Sequence, residues 1–426
     1  MNVINNQREA SKTRWNTRWI LVVILGAALI LRIAAAFYLG NTVSGLSGAH
    51  DEISYSTLGQ RFATGHGMTF PEDWYPWIKA DSPQSYYSYT MSLTLGIIYK
   101  VFGYQPIVAR LVMVMLSTLL VFMIFLVGKR FFDEKVALLA AGIAAGYAYL
   151  IFYGVTLVTE TPFILALLVA IYTGFRIIAG GHKYWWVLMG IALAIAVLLR
   201  MAVVFFLPFY FLWLLNSLSD WRQRTCVLIP IILIIAAVVP LTVRNYRLWD
   251  RFLLLESQFG HVFWNGNHPD HNGNFHPYEV FPIPEEVLAS HNDSIITNEL
   301  LRMGIANVLD DPYHFLQLTG TRLREFYMFW PTANSTPLAN VLRVFSFGVL
   351  VPFAIVGLAY GLKNWRDLLL IYLFILIHTG VYATSWTMIR YRLPIDVFLI
   401  LFAASVIWPG IEAIRERRVL LSLQEG

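Results

Sequence analysis

The chain has 426 residues, of which 58% are hydrophobic and 13% charged, with a mean hydropathy of +0.60. A soluble domain carries about 25% charged residues, so the composition excludes an ordinary soluble protein and places the chain in the polytopic membrane class. The net charge of +5 lies between the apolar runs, where it reads as membrane topology rather than as a nucleic-acid surface, and the single Cys226 excludes an intrachain disulfide and a multi-cysteine metal site.

The chain opens on Arg8, Lys12, Arg14 and Arg18, followed by the apolar run Trp19 to Leu39. The run is long and ends without a small-x-small cleavage site, so it is expected to stay as a first span. A crossing helix needs roughly 20 apolar residues. By that measure further spans are expected at 108–128, 136–154, 159–178, 184–199, 202–217, 225–241, 341–361, 367–386 and 393–410, giving an all-α fold of about ten transmembrane helices. Arg200 lies in the middle of the nearly continuous stretch 184–217. A charge at mid-membrane depth is costly, so two helices are expected to turn there and leave Arg200 at a membrane face.

The segment 86–105 is apolar enough to pass for a span. If it lies along the outer leaflet instead, the N-terminal basic residues fall on one side with Lys129, Arg130, Lys135, Arg176, Lys183, Arg222, Arg224, Lys363, Arg366, Arg415, Arg417 and Arg418. That distribution obeys the positive-inside rule and places both termini in the cytoplasm. The expected organisation is then a transmembrane catalytic core over 1–241 with an outer loop at 41–107, a large extracytoplasmic loop at 242–340, and C-terminal helices with a tail over 341–426. The long loop holds a helical-looking part from about Asn292 to Phe329.

Candidate chemistry gathers at the outer ends of these helices. In His50-Asp51-Glu52-Ile53-Ser54-Tyr55, the positions of Tyr55, Leu58 and Phe62 share one face of a short surface helix. Asp51 and Glu52 begin that helix, where an acid serves either as a cap and dipole partner or as a general base at the membrane surface. Two adjacent acids also suit a shared divalent cation. Glu160 precedes Pro162 at the outer end of the fourth span and invites the same two readings. Arg200, Arg244, Arg390 and Arg392 break the charge rule on that face, and arginine forks suit phosphate; headgroup contact or a structural ion pair is the plainer account of each. His268, Asp270, His271 and His276 have no strong metal-ligand spacing, and Asn265-Gly266-Asn267 reads as a shaped turn.

The order Asp51-Glu52 with Tyr55, Thr159-Glu160-Thr161-Pro162-Phe163, Pro240-Leu241-Thr242-Val243-Arg244-Asn245-Tyr246, Gly266-Asn267 and Arg390-Tyr391-Arg392-Leu393-Pro394 resembles the bacterial relatives of the dolichyl-phosphate-mannose protein mannosyltransferases. The lipid A aminoarabinose transferase belongs to that broad group. The resemblance implies a type C glycosyltransferase fold in a bacterial cytoplasmic (inner) membrane, with the active site on the extracytoplasmic face. It implies transfer of a sugar from an undecaprenyl- or other polyprenyl-phosphate carrier to a lipid, polysaccharide or protein acceptor. Asp51 takes the catalytic role, with Glu52 and Glu160 beside it. Tyr55, Lys79, Arg200, Arg244, Asn245, Asn267, Arg390, Tyr391 and Arg392 are candidates for binding substrate. No cofactor is required, although a divalent cation fits the acids. Relatives carry Lys or Arg just before a proline late in the first outer loop; here Ser82 precedes Pro83 and Lys79 is the nearest cation. The carrier's lipid tail is expected in a groove between spans and the 86–105 helix. Two rivals remain: a ligase that moves a whole lipid-linked glycan, and a flippase, which favours functional charges at mid-membrane depth.

Overall fold

The computed structural model describes residues 17–45, 50–273, 280–333 and 335–424. Its architecture there is helical, with one isolated antiparallel bridge between Trp74 and Ile78. The helices that position the site are α1 (Thr17–Leu39), α2 (Asp51–Ala63), α3 (Tyr89–Phe102), α4 (Pro106–Phe131), α5 (Glu134–Gly146), α6 (Glu160–Ile178), α7 (Tyr184–Leu199), α8 (Leu207–Ser217) and α9 (Leu228–Trp249). They continue as α10 (Gln258–Gly266), α11 (Asp293–Asp310), α12 (Pro312–Phe326), α13 (Val349–Gly361), α14 (Trp365–Thr384) and α15 (Leu393–Gln424).

α6 is apolar on nearly every side, and Phe163, Ile164, Leu167, Leu168, Ala170 and Ile171 are all buried. A helix of that kind belongs inside its bundle, and α6 packs between α4 and α7. α5 turns Ala137, Ala140, Ala141 and Ala144 inward, and small side chains let neighbouring helix backbones approach closely. Arg32 lies within α1 yet is fully buried. Its guanidinium donates to Ser117 Oγ at 2.6 Å and to the Ala144 and Ala145 carbonyls at 3.3 and 3.1 Å. These are carbonyls of the last turn of α5, which have no partner inside their own helix.

The protein is an all-α, multi-spanning membrane protein, but the expected count of ten spans is not met. Among the described residues, six helical stretches are long and apolar enough to cross a membrane. Apolar runs count residues, whereas the backbone breaks within them. α5 stops after 13 residues and a bend at Tyr147 precedes the short helix Ala148–Phe152. α7 has 16 residues and α8 has 11. In the other direction, one 48-residue stretch, Pro337–Thr384, runs through two expected spans. Arg200 does mark a break: α7 ends at Leu199, and Arg200 is extended before a 3-10 turn over Met201–Phe205.

α3 does not carry the chain across the bundle. It has 14 residues, and the segment that contains it is closed on itself. Arg110 near the start of α4 donates to Gly40 O at 3.2 Å and Thr42 O at 2.8 Å, and Asn41 Oδ1 accepts from Ile107 N at 3.0 Å. The end of α1 and the start of α4 therefore share one end of the bundle, and the loop between them leaves and returns there. At the opposite end Lys129 pairs with Glu134 at 3.1 Å and Lys135 with Glu412 at 2.5 Å. Thr17 also reaches Glu134, so the start of α1 and the later part of α15 lie together at that far end.

The second long segment folds onto the first. Asn292 caps α11 by accepting from Ser294 N and Ile295 N, and Asp311 caps α12 by accepting from His314 N. Asp293 accepts from Trp77 Nε1 at 2.7 Å and from Ser85 N at 2.8 Å. Tyr86 and His261 bond at 2.9 Å. α10 lies directly on α11 because residue 260 is glycine: a Cβ there would meet the Thr297 carbonyl. Two loops far apart in sequence thus form one body over the end of the bundle where α1 ends and α4 begins.

Candidate active site

Asp51 is the first residue of α2. The cap position is His50, and no side chain closes that helix end. Glu160 is likewise the first residue of α6, after Thr159, again with no side-chain cap. Both acids complement a helix dipole, but their carboxylate oxygens are turned to arginines. Arg390 Nη2 donates to Asp51 Oδ2 at 2.5 Å, and its Nε lies 3.4 Å from Glu160 Oε1. Arg200 Nη2 donates to Glu160 Oε1 at 2.5 Å, its Nε to Thr159 Oγ1 at 3.2 Å and its Nη1 to Tyr382 OH at 3.2 Å. Both guanidiniums face the Tyr391 ring, at 5.1 and 5.3 Å from its centroid, and Tyr391 stacks on Tyr382 at 4.6 Å. Four charges from four separate parts of the chain alternate in sign along one line. Arg390 Nη1 is buried with no hydrogen-bond partner among the described residues, as is Glu160 Oε2.

This line borders a cavity of about 120 Å³ that Asp51, Tyr55, Arg200, Glu256, Tyr382 and Tyr391 help to line. Tyr55 is buried, and its hydroxyl is pushed well above the usual range by burial and then by the Asp51, Glu256 and Glu160 charges, so it stays protonated. Beside it runs an apolar groove of about 520 Å³, walled by Phe205, Phe209, Phe259, Phe263, Ile377 and Val381. Phe205, Phe259, Val381 and Ser385 belong to both spaces. The groove lies against α8, α10 and α14, not against the 86–105 helix.

Residues 88–243 match the family model described as dolichyl-phosphate-mannose-protein mannosyltransferase. That window holds Glu160 and Arg200 but neither Asp51 nor Arg390. In structure the chain is similar to the oligosaccharyltransferase of Archaeoglobus fulgidus in its apo form, with a TM-score of 0.61 and 15% identity over 97% of this chain and 52% of that one. It is similar also to the oligosaccharyltransferase AglB of Archaeoglobus fulgidus in complex with an inhibitory peptide and a dolichol-phosphate, with a TM-score of 0.60 and 13% identity over 96% of this chain and 52% of that one. The fold is theirs. The chain spans about half the length of these solved structures, and no curated protein sequence matches it. The family match is to the broad mannosyltransferase family and does not single out the aminoarabinose transferases.

The other residues singled out in the sequence lie around this site in different settings. Glu52 points away from Asp51 and forms a fully buried pair with Arg110. Burial pushes its carboxyl up against the opposing pull of Arg110. Arg244 donates to Gln84 O at 3.2 Å and covers the Tyr89 ring at 4.9 Å, without touching the acids. Its neighbour Asn245 is buried and donates to the Leu253 and Leu255 carbonyls at 3.3 and 2.9 Å. Asn267 bonds Phe263 O and Thr384 O and accepts from Arg322 at 2.6 Å, so it ties α10 to α14. Lys79 is exposed and pairs with Asp73 at 2.7 Å. Arg392, two residues beyond Arg390, faces into the bundle; it donates to Asp396 at 2.8 Å and to Phe326 O at 2.8 Å.

Glu256, Tyr382 and Arg110 are the residues that sequence reading passed over. An acid closing the apolar run Leu253-Leu254-Leu255 is the usable signal, because a charge beside buried apolar residues is costly. As for a cation, no group of three or more His, Cys, Asp and Glu side chains among the described residues is arranged to hold one. The two adjacent acids are each engaged by an arginine, Asp51 by Arg390 and Glu52 by Arg110. His268 stacks on Phe281 at 3.9 Å and His271 accepts from Gly273 N at 2.9 Å; His276 lies outside the described residues.

Proposed function

We propose that this protein transfers a sugar from a polyprenyl-phosphate carrier to a hydroxyl-bearing acceptor at the extracytoplasmic face of a membrane. The observation that carries the reading is the convergence of Asp51, Glu160, Arg200 and Arg390 beside an aromatic groove that opens from the same cavity. Arg390 and Arg200 hold the carrier phosphate, and the groove takes the first isoprene units of its tail. Asp51 accepts the proton of the acceptor hydroxyl. The acceptor oxygen bonds the anomeric carbon as the bond from that carbon to the phosphate oxygen breaks, and the electron pair leaves on polyprenyl phosphate. A phosphodiester monoanion becomes a monoester dianion, so charge grows where the arginines stand. Donors fixed at developing charge are the largest single source of such catalysis. The unpartnered Arg390 Nη1 is the donor left for the phosphate while Nη2 holds Asp51. The displacement inverts the anomeric centre. The membrane is the bacterial inner membrane in this reading, with both termini cytoplasmic.

The test is transfer by the purified protein from polyprenyl-phosphate sugars to membrane-derived acceptors. Asp51→Asn is expected to lower the rate by about 10²–10⁴-fold, the usual worth of a general base; equal rates, or a retained anomeric configuration, contradict the mechanism. A second reading, transfer of a whole lipid-linked glycan, is favoured by the likeness to oligosaccharyltransferases. Turnover of polyprenyl-linked oligosaccharides but not of monosaccharide donors selects it.

A further inference from the structure

We propose that Glu256 is a donor-binding residue, a carboxyl group that hydrogen-bonds the phosphate or first sugar of the carrier in the cavity it shares with Asp51. The proposal rests on the sugar-transfer reading and adds a residue to it. Three observations carry it. Glu256 lines the cavity together with Asp51, Tyr55 and Arg200. Its backbone is held from both sides: Asn245 of α9 binds the Leu253 and Leu255 carbonyls, Ser257 N donates to Ser85 O at 2.8 Å, and Thr297 Oγ1 donates to Ser257 O at 2.7 Å. The chain here alternates, with Leu253, Leu255 and Ser257 buried, Leu254 exposed on the opposite side, and Glu256 on that side and turned to the cavity. Side chains from α9 and α11 and a backbone carbonyl of the first outer loop thus fix the direction of one acid. A connecting loop does not require such anchoring.

Charge decides in which form Glu256 works. Asp51 and Glu160 are balanced by Arg390 and Arg200, and the carrier phosphate brings one further negative charge. The groups that face Glu256 are Arg200 after α7, Asp51 and Tyr55 of α2, and Ser88 ahead of α3, which donates to it; Tyr382 and Tyr391 close the same cavity. Burial pushes the carboxyl up to about 8 despite the pull of Arg200. At neutral pH it therefore offers an O–H donor and a carbonyl acceptor, and it repels the phosphate only once it ionises. A bound phosphate raises it further. Between the free and bound values the affinity for the carrier falls by up to about tenfold per pH unit.

The experiment measures binding of a short polyprenyl methyl phosphate, a phosphodiester that keeps one negative charge throughout, to the purified full chain in detergent between pH 6.5 and 9.5, alongside transfer from polyprenyl-phosphate sugars. Wild type is expected to lose affinity above pH about 8. Glu256→Gln keeps the neutral hydrogen-bonding shape, so it should bind within about twofold of wild type at pH 7 and stay flat as pH rises. Glu256→Ala should bind about three- to tenfold more weakly at pH 7, the worth of one hydrogen bond. A Gln variant that still loses affinity with pH, or that binds as weakly as the Ala variant, overturns the proposal. If Glu256 governs phosphate binding in this way but no sugar is transferred, the sugar-transfer reading fails and the role of Glu256 stands. If wild type does not bind the polyprenyl phosphodiester, both fail.

Discussion

Asp51 and Glu160 each begin a helix, and each leaves its carboxylate to an arginine instead of to the helix backbone. From the local sequence, capping is the plainer account of each acid and a general base the other, because a helix start favours an acid in either case. The structure adds Arg390 from 339 positions away, whose guanidinium, and not a cap hydrogen bond, engages Asp51. The contrast between Arg390 and Arg392 follows from the 3-10 turn over Ile389–Arg392, which turns them to different surroundings. Arg390 meets the acids, whereas Arg392 is spent on Asp396 and two carbonyls and lies over the Phe347 ring. Arg390→Gln should lower kcat by about 10²–10³-fold, as removal of one charge-stabilising donor does, and should destabilise less than the Arg392 change, because Asp51 is partly exposed and Glu160 keeps Arg200. Arg392→Gln should act mainly on stability, costing about 3–5 kcal/mol because Asp396 is left buried with only the Tyr147 hydroxyl and no opposite charge. Melting in detergent and steady-state rates on the two variants separate the roles.

α2 brings Asp51 to the site, and the buried Glu52–Arg110 pair fixes α2 to the start of α4. Arg110 also holds the Gly40, Thr42 and Val155 carbonyls, so one side chain gathers the ends of three segments. Arg110→Ala strands Glu52 in the interior, for an expected loss of about 3–5 kcal/mol; chemical denaturation with a tyrosine-fluorescence readout in detergent measures it. At this scale the sequence was legible where a local rule decided the outcome. The Asn292–Phe329 region forms α11 and α12 because Asn292 and Asp311 are strong caps. The chain breaks at Arg200 because a charge there could not continue an apolar helix. Legibility failed where helices break without a charge: Tyr147 interrupts an apolar run for tertiary reasons, its hydroxyl reaching Asp396 on α15 at 2.8 Å. It failed also for Glu256, whose direction depends on Asn245, Ser85 and Thr297 in three distant segments.

Across the whole molecule, the charged line lies at the end of the bundle where α1 ends and α4, α6 and α15 begin, and Lys129, Lys135 and Glu412 mark the other end. Lys129 and Lys135 at the end away from the site fit the positive-inside rule, so cysteine labelling from outside intact cells should modify position 104 and spare position 131; the opposite pattern reverses the proposed orientation. The groove lies beside α8, α10 and α14 and not beside α3, and charge counting along a chain cannot supply which helices stand apart. The most direct test of the account is an experimental structure of this protein with a polyprenyl phosphate bound. The account predicts the phosphate beside Arg390 and Arg200, its oxygens accepting hydrogen bonds from both guanidiniums, with the first isoprene units between Phe205 and Phe259. A phosphate held elsewhere, by Lys79 or by the lysines at the far end of the bundle, contradicts it.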